Sequence, residues 1–276
     1  MSSGNLLRTA TVSFAALIAL CVLSISHVEA KPIYFGIGTG LQRLNAEGDQ
    51  GLHINTGNIG PVLVKDFELD PDDFSDLMES AFGFGGYVTD GTWIATFSLA
   101  QLKLGGDPSG ELPALGATFD SEWSFDVLTG QLMVGYPAYR NEKGTMTVTP
   151  YGGFRYMKHE IGAELEITGA NVNSAERSVD HNWTDIVIGT SLDVALAPKV
   201  HWSTSLDAGF GGSEGTFHVG TGVQWRFWKH MSIGPNFNFM ALDYENGDPQ
   251  DSDWYKYDAS EFGAGISFLF HFQTGS

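Results

Sequence analysis

Glu261-Phe-Gly-Ala-Gly-Ile-Ser-Phe-Leu-Phe-His-Phe272 alternates with a period of two. Phe262, Ala264, Ile266, Phe268, Phe270 and Phe272 fall on one side, and Glu261, Gly263, Gly265, Ser267, Leu269 and His271 on the other. Successive side chains of a strand point to opposite faces, so this is a strand with one apolar face and one small or polar face. It is longer than the roughly five or six residues common in soluble sheets.

The same pattern recurs upstream. In Thr145–Met157 the even positions are mostly apolar, and the odd ones carry Thr147, Thr149 and Arg155. Ile186, Ile188, Leu192 and Val194 oppose Asp185, Gly189, Ser191 and Asp193. Val200, Trp202, Leu206 and Phe210 oppose His201, Ser203, Ser205 and Asp207. Phe217, Val219, Val223 and Trp225 oppose His218, Gly220, Gly222 and Arg226. The N-terminal half follows suit, with Phe35, Ile37 and Leu41 against Gly36, Gly38 and Gly40, and with Asp90-Gly91 marking a tight hairpin turn. In Phe119–Tyr136 the phase slips near Asp126, which reads as a bulge.

The pattern predicts ten strands, near 33–44, 79–89, 92–104, 119–136, 145–158, 183–197, 199–211, 216–228, 231–244 and 255–272. Connections are short near 90–91, 138–144, 197–199 and 229–230, and long at 45–78, 105–118, 159–182 and 245–254; 211–215 is short where a long one is due. Alternating short and long connections, apolar faces almost free of charge, and glycine-rich opposite faces fit an all-β, transmembrane, antiparallel up-and-down barrel. An even count places both chain ends on the side of the short turns. Eight or twelve strands stay open, because 45–78 has room for a further pair, Leu52–Thr56 with Val62–Leu69, or for a plug; Pro71–Glu79 reads as a short helix. A soluble sandwich would turn the apolar faces inward. Against it stand the strand lengths and the aromatics near strand ends, Trp93, Trp183, Trp202, Trp225, Phe227, Trp228, Phe270 and Phe272, placed as an interfacial girdle would be.

The N-terminus reads as a targeting signal. Arg8 precedes an apolar run of about 16 residues, Ala10–Ile25, too short for a membrane-spanning helix. Val28 and Ala30 suit a small-residue cleavage site. The expected organisation is a cleaved signal over 1–30 and one barrel domain over 31–276. Leu20 before Cys21 argues against lipidation. Cys21 is the one cysteine, so residues 31–276 have no disulfide, thiolate nucleophile or cysteine metal site. With 33 acidic and 14 basic residues, the net charge of −19 repels nucleic acid phosphates.

The signal, the alternating strands and the phenylalanine-rich final strand resemble the small Gram-negative outer-membrane β-barrel proteins. Such proteins usually end on an aromatic residue, whereas here Gln273-Thr-Gly-Ser276 follows Phe272. The resemblance is architectural. It implies a place in the outer membrane, contact with its lipid and lipopolysaccharide, and insertion by the barrel assembly machinery. It implies no activity.

Three groups of residues could carry chemistry. Arg155, Arg226, Asp185, Asp193, Asp207 and Glu261 fall on the polar faces, where they would form a self-compensating lumen network or set the ion preference of a pore. Asp70, Asp72 and Asp73 in one outer loop and Asp248, Asp251 and Asp253 in another would be neighbours once the last strand pairs with the first. Clustered carboxylates suit Ca²⁺ or Mg²⁺, although the calcium-loop spacing is absent and a solvated acidic surface explains them as well. Asp180-His181 with Asp185 offers an acid beside a histidine, but neighbours in a strand point to opposite faces. No other cofactor is expected. The functional readings are a structural or surface-interaction protein with a narrow, largely plugged lumen, a narrow channel for small solutes, and, last, an outer-membrane hydrolase.

Overall fold

The computed structural model describes residues 32–53, 62–107, 109–112, 117–168, 173–249, 251 and 253–274. The signal-peptide reading of 1–30 lies outside the described residues. Among these, the strands are β1 (Ile33–His53), β2 (Val62–Leu69), β3 (Met78–Thr89), β4 (Ile94–Gly106), β5 (Ser109–Leu112), β6 (Ala117–Gly135), β7 (Tyr139–Arg140), β8 (Met146–Thr168), β9 (Asn173–Ala197), β10 (Val200–Phe210), β11 (Gly215–Trp228), β12 (Met231–Asn246) and β13 (Tyr255–Thr274). One helix, α1 (Pro71–Leu77), joins β2 to β3.

Ten of these strands close a ring in chain order: β1, β3, β4, β6, β8, β9, β10, β11, β12, β13 and back to β1. All pairs are antiparallel. The seam runs from Ile33 beside Thr274 to Leu52 beside Tyr255. Ring closure leaves no open sheet edge along the wall that lipid must cover, as backbone groups in hydrocarbon require. The strand number is ten, so the expected fold class stands and eight and twelve are set aside. Within 45–78, β2 and α1 lie outside the ring. β2 pairs with the upper part of β1, taking the place beside it that β3 occupies only from Tyr34 to Thr39.

Three expectations are corrected. Much of the predicted long loops is strand. β8 and β9 run on to Thr168 and back from Asn173, β1 reaches His53, and β12 reaches Asn246. There is no bulge at Asp126, because β6 pairs without a register shift with β4 on one side and β8 on the other. Finally, Trp183 is not part of a girdle. It is 5% exposed and shares parity with the lumen residues Asp185 and Val187.

These corrections share one cause. Along a single strand the faces exchange polarity. Lower on the wall, Phe154, Ile186, Ile188, Leu206 and Phe217 face outward and are exposed, while Arg155, Asp185 and Val187 face inward and are fully buried. Higher up, Lys103, Asp126, Lys158 and Asp180 face outward in ion pairs, and Phe125, Met157, Val179 and Trp183 face inward. An outward apolar side chain needs lipid and an inward one needs only other side chains, so the pattern inverts where the wall leaves the bilayer. A period-two reading that holds one face apolar throughout meets that inversion as a phase slip or as the end of a strand.

The short turns are built locally. Asp90 accepts hydrogen bonds from the N–H groups of Thr92 (2.7 Å) and Trp93 (3.1 Å), and Gly91 supplies the positive φ of 82° that the turn needs. Asn141 accepts from the N–H groups of Thr145 and Met146, closing the 141–146 turn. At the opposite end, Asp70 begins α1. Its side chain accepts from the N–H groups of Asp72 (2.7 Å) and Asp73 (2.9 Å), while Asp73 accepts from the Asp70 N–H, a reciprocal cap.

Candidate functional site: the filled lumen and the acidic outer wall

The lumen is filled at two levels. At mid-height Arg155, from β8, donates to Asp207 Oδ1 of β10 at 2.7 Å and to Thr216 Oγ1 of β11 at 3.0 Å. Asp207 Oδ2 also accepts from the Tyr151 hydroxyl at 2.8 Å and lies 3.0 Å from His218 Nδ1. Arg155 and Asp207 are almost completely buried, so each depends on the other for its charge. Asp185 stands beside Arg155 in the β8–β9 register yet turns away from it. Its carboxylate accepts from the N–H groups of Gly212 and Ser213 and from the Ser213 hydroxyl, all within 3.0 Å. That bond pins the short β10–β11 turn against β9.

The other predicted lumen charges are not brought into this network. Glu261, on β13, accepts from the Tyr257 hydroxyl at 3.0 Å. Asp193 is exposed at the lower end of β9, and Arg226 is exposed near the end of β11. Six charges on the polar faces therefore divide into a buried pair, a turn clasp, Glu261 held by Tyr257 inside the lumen, and Asp193 and Arg226 toward the lower rim.

Above mid-height an aromatic plug closes the barrel, and sequence reasoning missed it. Trp183 of β9 stacks on Tyr244 of β12, centroids 3.9 Å apart. His181 stacks on Tyr255 at 5.1 Å. His159 sits edge-on to Phe125, Trp183 and Tyr257, and its Nδ1 lies 2.7 Å from the Tyr255 hydroxyl. Met157, Leu242 and Ala259 complete this core. The signal was available as inward parity: Trp183 continues Asp185 and Val187 upward, and Tyr255 and Tyr257 continue Glu261 upward.

Asp180 and His181 part company as their adjacency implies. Asp180 lies on the outside, 3.1 Å from Lys158 Nζ, whereas His181 joins the plug. They do not form an acid–histidine pair.

The outer wall carries the strongest charge pattern. Strand register sets Asp49, Asp258 and Asp243 side by side on β1, β13 and β12. Glu47 and Glu68 pair two residues further along. Glu47, Asp49, Glu68 and Asp258 line a groove of about 640 Å³ together with Gly48, Phe67, Ala259 and Ser260. Like charges directly opposite one another repel across a sheet.

The two acidic loops are placed apart in role. Asp72 pairs with Arg43, 2.6 Å, and Asp70 and Asp73 cap α1. The N–H groups of Asp73 and Asp72 hold the Asp70 carboxyl below its usual range, with Arg43 adding a smaller effect in the same direction. Asp251 accepts from the N–H of Asp248, and both shape the β12–β13 turn with Asp253. Among the described residues, no group of three or more histidine, cysteine or acidic side chains is arranged to hold a metal ion.

No protein-family model matches the chain, and no curated protein matches it. Solved structures with a similar course include the outer membrane protease OmpT of Escherichia coli, at 8% identity and a TM-score of 0.48 over 90% of this chain and 99% of that one. The translocator domain of the autotransporter NalP of Neisseria meningitidis shows 11% identity and a TM-score of 0.46 over 96% and 98%. Ail, the attachment invasion locus protein of Yersinia pestis, shows 14% and 0.30 over 87% and 99%. These likenesses concern the course of the chain, and the chain's own geometry carries the conclusion: closed, antiparallel, ten-stranded, and belted by exposed Phe, Ile and Leu, it is a β-barrel of the outer-membrane kind and belongs in that membrane.

Proposed function

We propose that this is an outer-membrane surface protein with a closed lumen, acting through its outer wall rather than by passing solutes. The carrying observation is the plug. Tyr255, Met157 and His159 are no more than 1% exposed, and the rings of Trp183 and Tyr244 touch across the lumen. Beneath it, Arg155 and Asp207 fill the mid-lumen. The wall above the bilayer, by contrast, offers a row of aligned carboxylates and an acidic groove. Its chemistry fits a basic partner surface, reached by long-range attraction that salt weakens.

The test has two arms. Protein reconstituted in planar bilayers shows no conductance steps above leak; steady unitary steps replace this reading with the channel. In nanodiscs of neutral lipid, an oligolysine peptide binds in a salt-dependent way, and Asp49→Asn, Asp243→Asn, Asp258→Asn together weaken it several-fold. Equal binding by that variant removes the outer wall as the interaction surface.

A further inference from the structure

β12 presents a column of inward residues that begins with Ser232 and rises through Gly234, Asn236 and Asn238 to Met240, Leu242 and Tyr244. The upper three belong to the plug or pack against it. The lower part is different. Gln224 of β11 reaches across Gly234, its Nε2 donating to Ser267 Oγ of β13 at 2.6 Å. Gly234 itself is demanded by the close approach of the β11 backbone, since a Cβ there would lie 1.6 Å from Val223 O. The Gln224 amide thus joins those of Asn236 and Asn238 in a single file along the lumen wall.

Each asparagine is bracketed by glycine. Asn236 stands between Gly222 and Gly265, and Asn238 between Gly220 and Gly263. A Cβ at Gly263 would come within 2.6 Å of Asn238 Oδ1. The glycines therefore leave room for the amide heads, and nothing on the flanking strands bonds to their oxygens. Gln224 Oε1, Asn236 Oδ1 and Asn238 Oδ1 are all buried and, among the described residues, all without a hydrogen-bond partner. One such acceptor is costly in a folded protein, and three in file call for a common partner.

The neighbouring charges indicate its sign. Glu261 is one inward position above Gly263 on β13, diagonal to Asn238. His218, beside Gly220, is committed to Asp207, and Asp207 to Arg155. Arg226, one inward position below Gln224, is exposed near the lower mouth. Acceptors alone, with a carboxylate above them, suit a positive guest. Neutral amide oxygens with a single carboxylate match one charge better than two, since divalent sites gather several carboxylates.

We propose that this amide column is a binding site for a small monovalent metal cation. It is entered from the end of the barrel that carries the short turns, and the aromatic plug stops it above. The oxygens of Gln224, Asn236 and Asn238 take the place of part of the ion's water shell, as carbonyl oxygens do in selective filters. The proposal is independent of what the outer wall binds.

The test uses protein purified from outer membranes and crystallised with Rb⁺ as the only alkali cation. An anomalous peak bounded by the three amide oxygens is expected. It is lost in Asn236→Leu and kept or strengthened in Asn236→Asp, with both variants showing the heat-modifiable gel migration of a folded barrel. Should Asn236→Leu fail to fold, Asn238→Ser, which shortens the amide arm, loses the peak instead. Three outcomes overturn the proposal: ordered water indifferent to Rb⁺; a peak that survives Asn236→Leu or, in its place, Asn238→Ser; and a bromide peak at the same place, which would mean that amide N–H groups face the lumen.

Discussion

Trp183 and Tyr244 stack face to face across the lumen, their planes within 15° of each other and their centroids 3.9 Å apart. They stand on β9 and β12, separated in the ring by β10 and β11, which stop lower at Phe210 and Gly215. The stack therefore bridges β9 and β12 above the β10–β11 turn. Replacing both by alanine removes the two stacked rings. In planar bilayers Trp183→Ala/Tyr244→Ala is expected to show discrete conductance steps, favouring cations, where the parent shows none. A silent but folded double variant would mean that the Arg155 level alone seals the barrel.

Arg155 and Asp207 are buried at the level below, and removing one strands the other. Asp207→Asn is expected to destabilise the barrel by about 3–5 kcal/mol, the usual cost of an orphaned buried charge. Replacing both, as Arg155→Met/Asp207→Leu, is expected to recover most of that loss. Urea unfolding followed by heat-modifiable migration measures both. Equal losses in single and double variants would show that the pair is not the source of the cost.

Ile188 faces outward at 58% exposure in the middle of β9. Arginine there meets hydrocarbon and is expected to cost about 2–4 kcal/mol if the site is near the bilayer midplane. On the lumen side of the same strand, Ser191→Arg is expected to interfere through crowding rather than lipid. Unfolding from vesicles of thick and thin bilayers separates them, since only Ile188→Arg should improve in the thinner one.

The Asp70 cap gives a pH dependence of known sign. Backbone N–H groups of Asp73 and Asp72 lower the carboxyl's pKa in the fold. Its stabilising effect on α1 is then full above the unfolded carboxyl's pKa and disappears as pH falls through the lower folded value. Hydrogen exchange at the Asp72 and Asp73 amides should speed up, relative to neighbouring turns, on acidification below the ordinary aspartate range. Asp70→Ala should show fast exchange there at every pH.

Much of the barrel is legible in the chain because it rests on local periodicity. The lower strands, the faces of Ile186 and Ile188 against Asp185 and Val187, the turn at Asp90-Gly91 and the helix beginning at Pro71 all follow from near neighbours. The upper strands are not legible in the same way. Their outward residues, such as Lys158, Glu160 and Asp180, look like loop once lipid is assumed to cover the outer face at every height. Trp183 looks interfacial until its parity with Asp185 is followed upward.

Pairing across the lumen is a different matter. The chain shows Arg155, Asp185 and Asp207 on polar faces, and nothing local says that Arg155 takes Asp207 from β10 while its own register neighbour Asp185 clasps the turn at Gly212 and Ser213. Nor does it say that Asp49, Asp258 and Asp243 fall in one row, or that Trp183 meets Tyr244. By itself the sequence determined a membrane barrel of about ten strands, its two faces and its acidic excess, since alternation and composition act at the scale of a few residues. Only the tertiary structure decided which charges pair, where the lumen is closed and which polar groups stay without partners, because closing the ring sets the registers that bring distant strands together.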